Sequence, residues 1–196
     1  MFRGLKIGVG VTGSFCSLSK LIYVLKQLKE NHADIYIVMT EEVQKMDTRF
    51  YHHDALYNEL LTYTNHPIVT SIVEAELFGP KIKLDLFLIM PATSNTISKI
   101  AHGICDNPVI MSSKATLRNQ KPIVIAMFTN DALGNSGSSW ISLFNTKNIF
   151  FVPFGQDDYL NKPNSLISNH YLVLETVNQA LEGKQIQPVL ITYDEN

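Results

Sequence analysis

The stretch Asp85–Gly103, DLFLIMPATSNTISKIAHG, decides the reading of this chain. Five apolar residues run unbroken to Pro91, four small polar residues follow at Thr93, Ser94, Asn95 and Thr96, and Ile97, Ile100 and Ala101 then share one helical face. An uninterrupted apolar run suits a parallel strand buried on both sides, and the polar cluster sits where such a strand hands over to a helix. That many polar groups exceed what capping one helix requires. An amide such as Asn95 donates and accepts at once, which matches the alternating edge of a flavin pyrimidine ring.

The same strand-to-helix unit recurs outward from this point. Strands are expected over Leu5–Val11, Ile35–Met39, Leu84–Met90, Pro122–Met127 and Asn148–Val152. Helices are expected over Ser17–Asn31, Asp54–Thr62, Thr96–Gly103, Ser138–Asn145 and Ser165–Glu182. In the first helix Leu18, Leu21, Ile22, Leu25 and Leu28 form an amphipathic stripe; in the last, Leu166, Tyr171, Leu174, Val177 and Leu181 do. Alternation of this kind predicts a single α/β domain over residues 1–196, a flavodoxin-like or Rossmann-like three-layer sandwich with a central parallel sheet. The segment 62–83 is irregular, with an extra edge strand expected near Ile68–Val73, and the tail 185–196 reads as extended.

Composition narrows the function. The 196 residues carry a formal charge of -2, and the 16 basic side chains are scattered, so no stripe exists to neutralise a nucleic-acid backbone. No apolar run reaches the length of a membrane span. The N-terminal Arg3, Lys6 and Ile7–Val11 imitate a secretion signal but read as the first buried strand. Two cysteines, Cys16 and Cys105, without a CxxC predict free thiols in a reducing cytoplasm. The six histidines show no zinc-binding spacing.

Gly8, Gly10 and Gly13 match GxGxxG, but a dinucleotide site places these glycines after the strand and an acid about 20 residues further on. Here Gly8 and Gly10 fall inside the strand, and Glu41 arrives 28 residues after Gly13. Thr12-Gly13-Ser14 is better read as a turn whose amides and hydroxyls, with the helix dipole, suit one terminal phosphate. Thr40, after the second strand, points to the same rim. A helix cap alone would also explain either feature.

PATSNTISKIAHGICDN resembles the PASANT signature of the homo-oligomeric flavin-containing cysteine decarboxylase superfamily. With the TGS turn, the resemblance implies an FMN site drawn from Thr12, Gly13, Ser14, Thr40, Pro91, Ala92, Thr93, Ser94, Asn95 and Thr96, often shared across a trimer interface. The superfamily's PAMN string is altered here to Ile125–Asn130, and the position of the decarboxylase histidine is held by Leu77.

FGPK at Phe78–Lys81, SKATLRN at Ser113–Asn119, TNDALG at Thr129–Gly134, NIFFVPFGQDD at Asn148–Asp158 and KPNS at Lys162–Ser165 are similar to one branch of that superfamily, the dipicolinate synthase B subunits. This likeness implies oxidation of dihydrodipicolinate to dipicolinate in the mother cell of a spore-forming bacterium. It also implies an obligate dipicolinate synthase A subunit with its own nicotinamide (NADP) site, and a homo-oligomer of trimers or higher. A cyclic dicarboxylate that loses a hydride and a proton needs cationic or amide anchors, a hydride acceptor and a base. Arg118, Lys114 and Arg49 are the available anchors and Asn130 an amide partner; Asp131, Glu76 and Asp157 are the candidate bases. A non-catalytic partner that completes the A subunit, or an FMN-dependent decarboxylase, are the alternative readings.

Overall fold

In the computed structural model, which describes residues 1–190, elements follow the chain as β1 (Lys6–Val11), α1 (Leu18–Glu30), β2 (Asp34–Met39), α2 (Glu41–Lys45), α3 (His53–Leu61), α4 (Ile72–Glu76), β3 (Leu86–Ala92), α5 (Ser94–Ala101), α6 (Pro108–Arg118), β4 (Ile123–Thr129), α7 (Gly137–Phe144), β5 (Ile149–Phe151), β6 (Phe154–Gly155), β7 (Leu166–Ser168) and α8 (Val173–Leu181). Strands β2, β1, β3, β4 and β5 lie side by side in that order, all parallel. Helices cover both faces, so the flavodoxin-like three-layer sandwich expected from the sequence is the fold observed. Among the described residues no helix is long and apolar enough to cross a membrane.

Alternation along the strands splits the core in two. Ile7, Val9 and Val11 face α1, α3 and α8 together with Leu86, Leu88 and Met90. Phe87, Ile89, Ile123 and Ile125 face the other layer with Val109. Gly8 and Gly10 explain how α6 and Phe87 approach so closely. A Cβ at Gly8 would stand 2.5 Å from the Phe87 ring, and one at Gly10 would stand 2.8 Å from a Val109 methyl. Gly8 and Gly10 of the GxGxxG match therefore serve packing inside β1, as their position in the strand implied.

The sheet departs from the parallel expectation at one edge. Beyond Ile125, β4 leaves β5 and pairs antiparallel with β7 through Phe128 and Thr129, and β7 pairs antiparallel with β6. The helix expected over Ser165–Glu182 is shortened as a result. Its first residues form β7, a short 3-10 turn spans His170–Leu172, and α8 begins at Val173. An unpaired length of β4 outcompetes helical periodicity there: the Met127 amide donates to Ser168 Oγ at 2.9 Å, and that hydroxyl donates to the Val152 carbonyl at 3.2 Å.

Helix α6 was not expected from the pattern of apolar residues. Beside Val109, Ile110 and Ala115, its buried face includes Ser112, Ser113 and Thr116, whose hydroxyls donate back to the carbonyls of Pro108, Val109 and Ser112. The irregular segment likewise holds structure. Ser71 and Glu74 form a capping box for α4, and the expected edge strand reduces to a single bridge between Val38 and Val69. Of the extended tail, Gln185 pairs its side chain with the Phe151 backbone, the Val189 carbonyl accepts from the Phe154 amide at 3.0 Å and Leu190 bridges Phe154, while positions 191–196 of that expectation lie outside the described residues.

Candidate functional site

Three strand ends meet at the carboxyl rim of the sheet, at the point where the order reverses between β1 and β3. In open α/β sheets ligands bind at such a switch point. Thr12 directly follows β1 and is almost wholly buried; its Oγ1 donates to the Pro91 carbonyl at 2.6 Å and accepts from the Thr93 amide at 3.2 Å. Thr93 then caps α5, its Oγ1 accepting from the Thr96 amide at 3.3 Å and lying 3.1 Å from Thr96 Oγ1. Thr40 follows β2, and its amide donates to the Val11 carbonyl at 3.1 Å.

These residues line one cleft of about 180 Å³ together with Gly13, Glu42, Ser94, Asn95 and Asn107. Thr40 is 3% exposed, and its Oγ1 is the one buried side-chain polar atom among the described residues with no hydrogen-bond partner. A buried hydroxyl left unpaired is costly, and native proteins rarely keep one without a use. Two helices direct their N-termini here, α5 through Thr93 and α6 through Asn107, whose Oδ1 accepts from the Ile110 amide at 3.1 Å. The free amides of such ends attract anions.

Thr12, Gly13, Thr40, Thr93, Ser94, Asn95 and Thr96 are thus brought together, as the sequence reading grouped them. Ser14 begins the turn into the 3-10 helix before α1, and Pro91 and Ala92 complete β3; these three fall outside the cleft's lining. Glu42 and Asn107 were missed. Asn107-Pro108 carries a helix-start signal, an N-cap followed by proline at the first helical position, which could have revealed the second. No local pattern marks Glu42.

The proposed substrate residues lie elsewhere. Lys114, Arg118 and Glu76 line a separate recess of about 110 Å³ between α4 and α6. Asn130 is exposed after β4, whereas Asp131 shapes the following turn, its Oδ2 accepting from the Ser136 amide at 3.3 Å and its own amide donating to Thr129 Oγ1 at 3.2 Å. Asp157 accepts from Ser165 Oγ at 2.8 Å. Burial pushes its carboxyl up, but the Ser165 bond, the backbone amides of residues 157 and 158 and the charge of Lys162 together outweigh this and hold it below its ordinary value. Arg49 packs its guanidinium over the Phe50 ring. Leu77 closes α4 at 38% exposure.

Residues 1–151 match the flavoprotein family. The chain belongs to the flavoprotein family. Within it, the chain is a homologue of the dipicolinate synthase B subunit. It is 41% identical over 189 residues to the dipicolinate synthase B subunit of Bacillus subtilis (strain 168), a match spanning 96% of this chain and 94% of that protein. The crystal structure of the dipicolinate synthase B subunit from Bacillus halodurans C superposes with a TM-score of 0.90 at 45% identity, over 97% of this chain and 98% of that one. This flavoprotein also shares its fold with the FMN-dependent cysteine decarboxylase SpaF, with a TM-score of 0.69 at 21% identity over 92% of this chain and 97% of that one.

Proposed function

We propose that this flavoprotein is the B subunit of a dipicolinate synthase and that its rim cleft holds the phosphate-bearing end of FMN. The carrying observation is the unpartnered Thr40 Oγ1, buried at the junction of three strand ends beneath two helix N-termini. The donor set fits the group: hydroxyls of Thr12, Thr40, Thr93, Ser94 and Thr96, the amides of the Gly13 turn and the two-sided amide of Asn95. Gly13 also leaves room, since a Cβ there would meet nothing closer than the Phe15 ring at 3.7 Å.

FMN, when bound, supplies a hydride acceptor. The chain's own residues hold and orient. Thr12 locks β1 to the end of β3, so the Thr93–Thr96 cluster keeps its place against the turn. The cleft, about 180 Å³, is smaller than the roughly 300–1,000 Å³ that encloses a whole small ligand. A second copy of this chain or the A subunit therefore completes the enclosure, which accords with the oligomer implied by the resemblance.

In this reading dihydrodipicolinate loses a hydride and a proton to become aromatic. Asn130 and Asp131 stand at the end of β4. Lys114 and Arg118 lie about 10 and 16 Å along α6 from Asn107, so as carboxylate anchors they act on a substrate presented by a neighbouring chain. The dipicolinate synthase A subunit, with its own NADP, is the partner, and the setting is the cytoplasm of the mother cell in a sporulating bacterium.

A second reading has support of its own. Among the described residues lining the cleft only Glu42 ionises, and Leu77 stands where the decarboxylase resemblance calls for a histidine. On this reading the chain completes the active site of the A subunit without turning over a flavin. Assays of the isolated A subunit, then of its complex with this chain, together with the absorption spectrum of the complex, separate the two. Flavin bands that bleach on adding dihydrodipicolinate support the first. Full activity that needs this chain but no flavin overturns it in favour of the second.

A further inference from the structure

The cleft is polar and rich in donors, yet among the described residues that line it there is no lysine, arginine or histidine. Its single ionisable lining group is an acid, Glu42, two residues beyond the unpartnered Thr40 and exposed on the first turn of α2. Glu41 beside it is ion-paired with Lys45 at 2.7 Å, so that lysine is already engaged one turn along. Within this chain a phosphate dianion in the cleft is offered only hydroxyls, amides and helix ends, and it shares the cleft with the acidic residue Glu42. Like charges a few ångströms apart repel appreciably even in high dielectric, and salt weakens the repulsion.

We infer that Glu42 is a specificity-determining residue that opposes phosphate charge in the cleft and so sets how strongly FMN is preferred over riboflavin. The inference rests on the flavin reading above. Its consequence is a cofactor held by geometry, with weak charge discrimination, and readily exchanged. An approaching protein partner that brought a cation to Glu42 would neutralise the repulsion and tighten the site.

The test titrates the full chain, alone and in complex with the A subunit, with FMN and with riboflavin, following flavin fluorescence at low and high ionic strength, for the wild type, Glu42→Gln and Glu42→Lys. Glu42→Gln is expected to raise FMN affinity several-fold at low salt, and Glu42→Lys to raise it further. Riboflavin affinity should stay within about twofold, because it lacks the opposing charge. The gains should shrink at high salt. Equal FMN affinity across the three proteins, or a loss in Glu42→Gln, overturns the inference while leaving the flavin reading intact. Absence of flavin binding in all three, both alone and in the complex, overturns the flavin reading itself and this inference with it.

Discussion

Thr12 and Pro91, 79 positions apart in the chain, are joined by a buried 2.6 Å hydrogen bond from Thr12 Oγ1 to the Pro91 carbonyl. The same oxygen accepts from the Thr93 amide. One hydroxyl therefore satisfies two backbone groups at the point where β3 ends and sets the spacing between the glycine turn and the polar cluster.

Thr12→Val keeps the shape and removes the hydroxyl. It leaves the Pro91 carbonyl and Thr93 amide without their partner, and a buried polar group so stranded costs about 1–3 kcal/mol. Urea denaturation should show a loss of that size, accompanied by weaker flavin binding. An unchanged midpoint would mean that this link does not hold the rim together.

Two glycines of the same motif should respond in opposite ways. Gly8→Ala drives a Cβ into the Phe87 ring and Leu84, at 2.5 and 2.6 Å, and overpacking of this kind typically costs about 1–3 kcal/mol. Gly13→Ala meets only the Phe15 ring, at an ordinary contact distance of 3.7 Å, so thermal stability should move by no more than about 0.5 kcal/mol. Flavin affinity should nonetheless fall, because the methyl group occupies the approach to the turn. Thermal melts paired with fluorescence titrations read both effects; a Gly13→Ala protein with normal flavin affinity would remove the turn from the site.

Thr40→Val separates ligand need from stability. With no partner for Oγ1 in the free protein, the isosteric change should leave stability unchanged or raise it by up to about 2 kcal/mol. Binding of FMN should weaken. A destabilised Thr40→Val protein would show that the hydroxyl serves the fold.

A pH-dependent clasp stands before α3. Asp47 Oδ1 accepts from the His53 amide at 2.9 Å and lies 2.7 Å from His53 Nδ1. These bonds pull the Asp47 carboxyl down to about 2, and the Asp47 bond raises the His53 imidazole above its ordinary 6.5 against a smaller opposing effect of burial. The aspartate contribution is present above 3.8 and lost as pH falls toward about 2. The histidine contribution is present below 6.5 and lost as pH rises through the elevated value. The clasp is therefore complete between these limits. An NMR titration should place the His53 midpoint above 6.5, and Asp47→Asn should lower it; a midpoint at or below 6.5 in the wild type would contradict the contact.

By itself the sequence determined the layers and the rim. Apolar runs at Ile7–Val11, Leu86–Met90 and Ile123–Met127 fit strands covered on both faces, and small polar residues at Thr12–Gly13, Thr40 and Thr93–Thr96 follow their strands directly, so chain order alone assigns them to one edge. Such signals are local, and the structure keeps them. What only the tertiary structure decided is non-local. The antiparallel turn at β7 exists because β4 outruns β5 and leaves amides to be satisfied, which no window around Leu166 reveals. Helix α6 buries Ser112, Ser113 and Thr116 among its apolar residues by bonding their hydroxyls to its own backbone, which blurs its apolar stripe. Glu42 enters the cleft, and Lys114 and Arg118 stay away from it, through the directions in which α2 and α6 leave the sheet. The lone state of Thr40 Oγ1 depends on every neighbour that fails to reach it, and an absence of that kind has no signature in a sequence.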